Sequence, residues 1–201
     1  MEDSYQTIAK FSGEHLYKIK NSKFFSHAYP VTSVEEIKDL LVKIKKEHHQ
    51  ARHWCYAWRL GTDPIQYRAN DDGEPSNTAG QPILGQLQSF QVTNTLVIVV
   101  RYFGGVKLGV GGLISAYRNA ALECLENSEI ITQLITDTIE LHFEYPLMNE
   151  VMRKIKKHNI TISNQKFESN CIIWLSTVKS KTSEIEEIFR SIYGVSVIES
   201  E

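Results

Sequence analysis

Six consecutive residues, TLVIVV from Thr95 to Val100, carry no charge and no alternation of apolar with polar side chains. A strand of that kind has no face to give to water, so it belongs inside a sheet with a layer above and a layer below. The run leads directly into RYFGGVKLGVGGLISAYRNAA, where Gly104–Gly112 hold five of the eleven glycines in the 201-residue chain. The expected order is a central strand, a glycine turn and a helix from about Leu113 to Asn127.

Elements compatible with such a layered sheet lie upstream. Ser22–Val31 (SKFFSHAYPV) reads as a strand. In SVEEIKDLLVKIKKEHH, Val34, Ile37, Leu40, Leu41 and Ile44 recur at helical spacing, with Ser33 as N-cap and Glu36 completing a capping box. ARHWCYAWRLG is a strand that puts His53, Cys55 and Ala57 on one face and Trp54, Tyr56 and Trp58 on the other. TDPIQYRANDDGEPSN reads as a polar turn broken by Pro64, Gly73 and Pro75. Asn77–Phe90 is expected to be a short helix capped at Asn77 or Thr78, with Pro82 in its first turn.

The rest of the chain follows a different pattern. Strand Ile130–Glu144, helix Pro146–His158, strands Ile160–Glu168 and Cys171–Val178, helix Ser183–Ile192 and strand Val195–Glu199 make the βαββαβ order of a ferredoxin-like domain. The fold class is therefore α+β in two domains, an α/β sandwich at 1–128 and a ferredoxin-like domain at 129–201.

Composition narrows the functions. No window approaches the ~20 apolar residues of a membrane span, and MEDSYQTIAKFSG lacks the basic and apolar regions of a secretion signal. Cys55, Cys124 and Cys171 fit neither a disulfide framework nor a CxxC metal pair. A cytoplasmic protein with no membrane partner, metal or cofactor is expected. Net charge is −2, with 14 basic and 13 acidic residues in 1–128 against 8 and 11 in 129–201. That balance excludes nucleic-acid binding through an overall basic field and leaves only a local patch. No DNA sequence reader is expected.

Three constellations could carry chemistry. His53 and Cys55, two apart on one strand face, could form a thiolate–imidazolium pair or half a metal site; otherwise they are a buried thiol and a hydrogen-bonded histidine at its rim. Asp71, Asp72 and Glu74 crowd around Gly73, and such carboxylates repel unless a cation, backbone amides or a basic group relieves them. They are either an ion site or the turn and cap residues before the next helix, together with Thr78. The glycine loop matches neither GxxxxGK[ST] nor GxGxxG. Gly104, Gly105, Gly109, Gly111 and Gly112 either point backbone amides at an anion, helped by Lys107 and Arg101, or only let strand and helix approach closely.

The strings SKF, ARHWCYAWRLG, DDGEPSNTAGQPIL and VRYFGGVKLGVGGLISAY resemble the IMPACT family over about Ser22–Asn127, and the remainder resembles the smaller second domain of its bacterial members. The resemblance implies an N-terminal α/β sandwich like the second domain of a small-subunit ribosomal protein and domain IV of elongation factor G. It also implies a C-terminal domain like domain V of that factor. Eukaryotic relatives regulate translation through an additional N-terminal domain, and the resemblance supplies no catalytic residues.

Two functional classes stand at this stage. One is a translation-linked module binding RNA or the ribosome through Arg101, Lys107, Arg118 and the aromatic and basic strand around Trp54, Trp58 and Arg59, with a protein partner as a further option for the C-terminal domain. The other is a phosphate- or metal-dependent enzyme, kinase-like or hydrolytic, built on the glycine loop and the DDGEP turn.

Overall fold

The structure is a computed structural model that describes residues 3–199. The described chain divides into two compact units, residues 5–133 and residues 3–4 with 134–199.

In the first unit, β2 (Glu14–Ile19), β3 (Ser22–Pro30), β4 (His53–Leu60), β5 (Gln66–Asn70) and β6 (Thr95–Tyr102) form a sheet of order β2-β3-β6-β4-β5. All its neighbouring strands are antiparallel. The apolar run is the central strand β6, and both its faces are covered. Leu96, Ile98 and Val100 join Ile37 and Ile44 of α1 (Val34–Glu47), whereas Val97 and Val99 meet α2 (Gly80–Ser89) and α3 (Gly109–Glu126). A separate two-stranded sheet pairs β1 (Ser4–Ile8) with β7 (Ile130–Leu134).

α1 begins where its cap residues place it. Ser33 Oγ accepts from the Glu36 amide at 3.1 Å, and Glu36 reaches back to the Thr32 amide at 2.8 Å, one residue before the cap. Three expectations need correction. Residues 66–70 form β5, not part of a turn; they are polar because β5 is an edge strand with three exposed residues. α3 starts at Gly109, inside the glycine loop, because tertiary packing of Leu113, Ala116 and Tyr117 outweighs poor glycine helix propensity. The strand expected over Ile130–Glu144 is two strands, because the chain changes partners at Ile135: β7 pairs with β1, and β8 (Thr136–Phe143) pairs elsewhere.

The second unit runs β8, α4 (Met148–Lys157), β9 (Thr161–Phe167), β10 (Cys171–Val178), α5 (Thr182–Arg190) and β11 (Ser196–Glu199). Its antiparallel sheet has the order β11-β8-β10-β9, the ferredoxin-like arrangement. Ile139, Leu141 and Phe143 of β8 and Cys171, Ile173 and Leu175 of β10 alternate inward onto Val151, Ile155, Ile185 and Phe189 of the two helices. Among the described residues, no helix is long and apolar enough to cross a membrane.

Candidate binding cleft

The DDGEP turn is built by partners that separate its three carboxylates. Asp72 and Gly73 adopt positive φ, and the Asp72 amide donates to Asn70 Oδ1 at 2.7 Å. Asp71 turns toward α2: Oδ1 accepts from the Ala79 and Gly80 amides at 3.0 and 2.8 Å, and Oδ2 from Asn77 at 2.8 Å. Asp71, not Asn77 or Thr78, therefore caps α2. The reason is tertiary: the turn swings a carboxylate from eight residues upstream over the helix end, while the Thr78 hydroxyl donates to the Pro75 carbonyl at 2.6 Å. Asp72 Oδ2 accepts from the Trp54 amide at 2.8 Å, and its Oδ1 lies 3.5 Å from Lys45 Nζ.

Glu74 points inward. Its Oε1 accepts from Arg101 at 2.7 Å and from the Tyr117 hydroxyl at 2.8 Å, and the carboxylate and guanidinium are 4% and 7% exposed. A buried pair of this kind is stable only when each charge keeps its partner. The Cys55 thiol donates toward the Asp71 carbonyl at 3.0 Å and the Tyr117 hydroxyl at 3.3 Å. Burial pushes that thiol well above its ordinary range, which keeps it protonated and unreactive. His53 Nδ1 lies 2.9 Å from the Asp72 carbonyl and must donate to it, leaving Nε2 as the free ring position.

The glycine loop approaches from the other side. A Cβ on Gly104 would lie 2.1 Å from the backbone of Asn21, so only glycine fits there, and its amide donates to Ser22 Oγ at 3.1 Å. Gly109, at φ +73°, opens α3, whose first turn has neither a side-chain cap nor an acidic residue. Amides in that position favour negative charge.

Turn and loop meet in one cleft of about 450 Å³. Arg52, Arg101 and Lys107 bring positive charge to it, Glu74 and His53 line its floor, and Phe103, Leu108 and Val110 form an apolar lip. Phe103 and Val110 are exposed. The Arg101 guanidinium lies 5.6 Å from the Phe24 ring centroid and 5.4 Å from that of Phe103, and its buried Nε has no hydrogen-bond partner.

Of the residues singled out in the sequence, His53, Glu74, Arg101, Lys107 and Gly109 line this cleft. Asp71, Asp72, Cys55 and Thr78 hold the turn behind it, and Gly104 sets the spacing to the β2–β3 hairpin. Gly105 (φ +83°) shapes the loop, Gly111 has open space around it, and a Cβ on Gly112 would lie 3.0 Å from Leu108. Arg59 is elsewhere: it donates to the Leu87 and Val92 carbonyls at 3.4 and 2.8 Å, locking the end of α2 to the following loop. Trp54 and Trp58 pack on the α1 side of the sheet, so β4 offers no stacking surface to the cleft. Tyr117 carries no signal of its own in the sequence, because it shares its helical face with Leu113, Ala120 and Cys124 at the spacing of a core stripe.

A two-domain α+β protein with a motif-built cleft in its first domain has known counterparts. Residues 20–125 match the Impact N-terminal domain. The IMPACT family member YvyE of Bacillus subtilis is 34% identical over 170 residues, 85% of this chain and 78% of that protein. The IMPACT family member YigZ of Escherichia coli is 33% identical over 171 residues, 83% of each. A crystal structure described as that of a hypothetical protein superposes with a TM-score of 0.75 at 27% identity, covering 100% of this chain and 99% of the other. The chain belongs to the IMPACT family.

Proposed function

We propose that the first unit binds RNA, free or within the ribosome, through the cleft, and that the protein acts in the cytoplasm as a translation-linked binding module. One observation carries this reading: Arg52 and Lys107 converge with the uncapped start of α3 beside an exposed Phe103, over an Arg101 held in the cleft wall by Glu74. Lysine, arginine and helix amides contact phosphate, and an exposed aromatic ring offers a base a stacking surface. Family membership supports the link to translation. Local charge also reconciles RNA binding with a net charge of −2.

A concave cleft with apolar walls also suits a small phosphorylated ligand, which keeps an enzyme as the second reading. The acids that such an enzyme would use are committed to structure. Asp71 caps α2, and Glu74 is held by Arg101 and Tyr117.

The test is RNA binding and ribosome co-sedimentation at low and moderate salt, with Lys107→Glu as the variant. Reversing this charge is expected to weaken binding roughly tenfold or more and to flatten its salt dependence. Absence of binding at low salt, or binding indifferent to Lys107→Glu, overturns the proposal. Heat released on titrating nucleotides into protein that ignores RNA favours the enzyme.

A further inference from the structure

We propose that Glu14, His27 and His48 form a binding site for a divalent transition-metal ion of the zinc type. The site lies on the α1 side of the sheet, opposite the cleft, and does not depend on the RNA reading. Glu14 opens β2 and is the direct cross-strand partner of His27 on β3. His48 closes α1, its amide donating to the Ile44 carbonyl, and its ring meets that of His27 edge-on with centroids 5.4 Å apart. Three elements thus converge, from positions too far apart for any short spacing pattern to mark them.

The ligand atoms already form a compact set. Glu14 Oε2 lies 3.2 Å from His48 Nε2 and 3.7 Å from His27 Nε2, and all three ligand atoms fall within 4.8 Å of one another. A tetrahedral zinc with bonds of about 2.0–2.1 Å sets its ligands roughly 3.3–3.4 Å apart. Modest side-chain rotations therefore suffice to close the set on one ion.

The decisive feature is His27. It is 3% exposed, and neither ring nitrogen has a hydrogen-bond partner. Buried polar atoms are nearly always satisfied, and one left alone calls for an explanation. The Glu14–His48 contact by itself explains two members of the cluster and leaves His27 with no role. A metal ion bound through Nε2 gives His27 a role alongside the other two and satisfies that nitrogen, leaving Nδ1 as the one unmatched atom of the ring.

The surroundings suit ligation. His48 Nδ1 lies 3.1 Å from the Tyr102 hydroxyl, a contact that orients the ring and directs Nε2 to the cluster. Phe11 lies parallel to His27, at 6.2 Å between centroids, as an apolar cover. Two imidazoles and a carboxylate match zinc and its neighbours, whereas calcium and magnesium prefer oxygen alone. Glu14 is exposed, so a fourth position opens to solvent and could hold water or a substrate group, as in zinc sites with three protein ligands.

The experiment uses the full chain, stripped with a chelator and titrated with ZnCl₂ by calorimetry and with CoCl₂ by visible absorption. One saturable equivalent is expected, with the intense visible bands of four- or five-coordinate cobalt and a zinc-dependent rise in melting temperature. Glu14→Gln and His48→Asn should each weaken binding about tenfold or more, and Tyr102→Phe by a factor within the 10–100-fold range typical of outer ligand partners. These side chains are not fully buried, and far-UV circular dichroism of each variant checks folding, so the outcome does not hang on a His27 variant that fails to fold. Folded wild-type protein with no saturable zinc binding up to about 100 μM overturns the proposal. Binding that survives both Glu14→Gln and His48→Asn overturns it equally, because the metal then sits at other histidines.

Discussion

The two faces of the five-stranded sheet treat their crowded acids and histidines differently, although each also buries another unmatched atom, Arg101 Nε and Ser26 Oγ on the α2/α3 face and Trp54 Nε1 on the α1 face. On the α2/α3 face, crowded acids are matched one by one: Asp71 to three amides, Asp72 to an amide and a lysine, Glu74 to Arg101 and Tyr117. On the α1 face, His27 is buried with no hydrogen-bond partner. A satisfied network marks architecture, and its function must lie in what it leaves at the rim, here Arg52, Lys107, Phe103 and the α3 amides. A buried ring with neither nitrogen matched points to something that completes it, whereas the unmatched Arg101 Nε belongs to a guanidinium already held by Glu74. Crowding of charged letters in a sequence is therefore a poorer guide to a site than the count of partners each group has in the fold.

The sharpest way to break this comparison is Arg101→Met. It leaves the Glu74 carboxylate buried with only Tyr117 as donor, and loss of one member of such a pair is expected to destabilise the chain by about 3–5 kcal/mol. Denaturant unfolding of the variant measures it. The double variant Arg101→Met/Glu74→Met should recover most of that loss, since replacing both charges by apolar groups is often neutral. A single variant that costs under ~1 kcal/mol would mean that the pair is solvated, and the contrast between the faces would disappear.

Asp71→Ala is next in size. Three amides lose their acceptor, and an ionised cap at a helix start is among the stronger ones, so a loss of about 2 kcal/mol is expected. Native-state hydrogen exchange should localise the loss to the first turn of α2. If exchange at Gly80 is unchanged while stability falls, Asp71 is holding the turn and not the helix.

These side chains also show what the sequence could reveal. TLVIVV declared a central strand because six residues without a charge have only one use in a sheet, and the βαββαβ order emerged from strands and helices of ordinary period. Ser33 was legible as a cap because its partner, Glu36, is three residues away. Asp71 was not, because it reaches α2 only after the Asp72–Gly73 reversal, and Thr78 is the locally better candidate. The cleft was half legible: its two motifs were visible, but their meeting depends on β4 and β6 lying side by side. The histidine cluster was invisible. In SKFFSHAYP, His27 reads as one more inward position of a strand, and nothing in the string says that its nitrogens go unmatched.

The smallest expected effect tests the other side of the comparison. If His27 has no partner, His27→Leu in chelator-treated protein removes a buried polar orphan and keeps an apolar body under Phe11. Such an exchange is expected to change stability by no more than about 1 kcal/mol, and in the stabilising direction if the fit is good. Adding zinc should then separate the two proteins. At a hundred times its dissociation constant, a bound ion adds about 2.7 kcal/mol to the wild type and nothing to a variant that cannot bind it. Melting temperatures of both proteins, with chelator and with zinc, give all four values. A loss above ~2 kcal/mol in chelator alone would show that His27 already has a structural role in the metal-free protein, and the two faces would then follow the same rule.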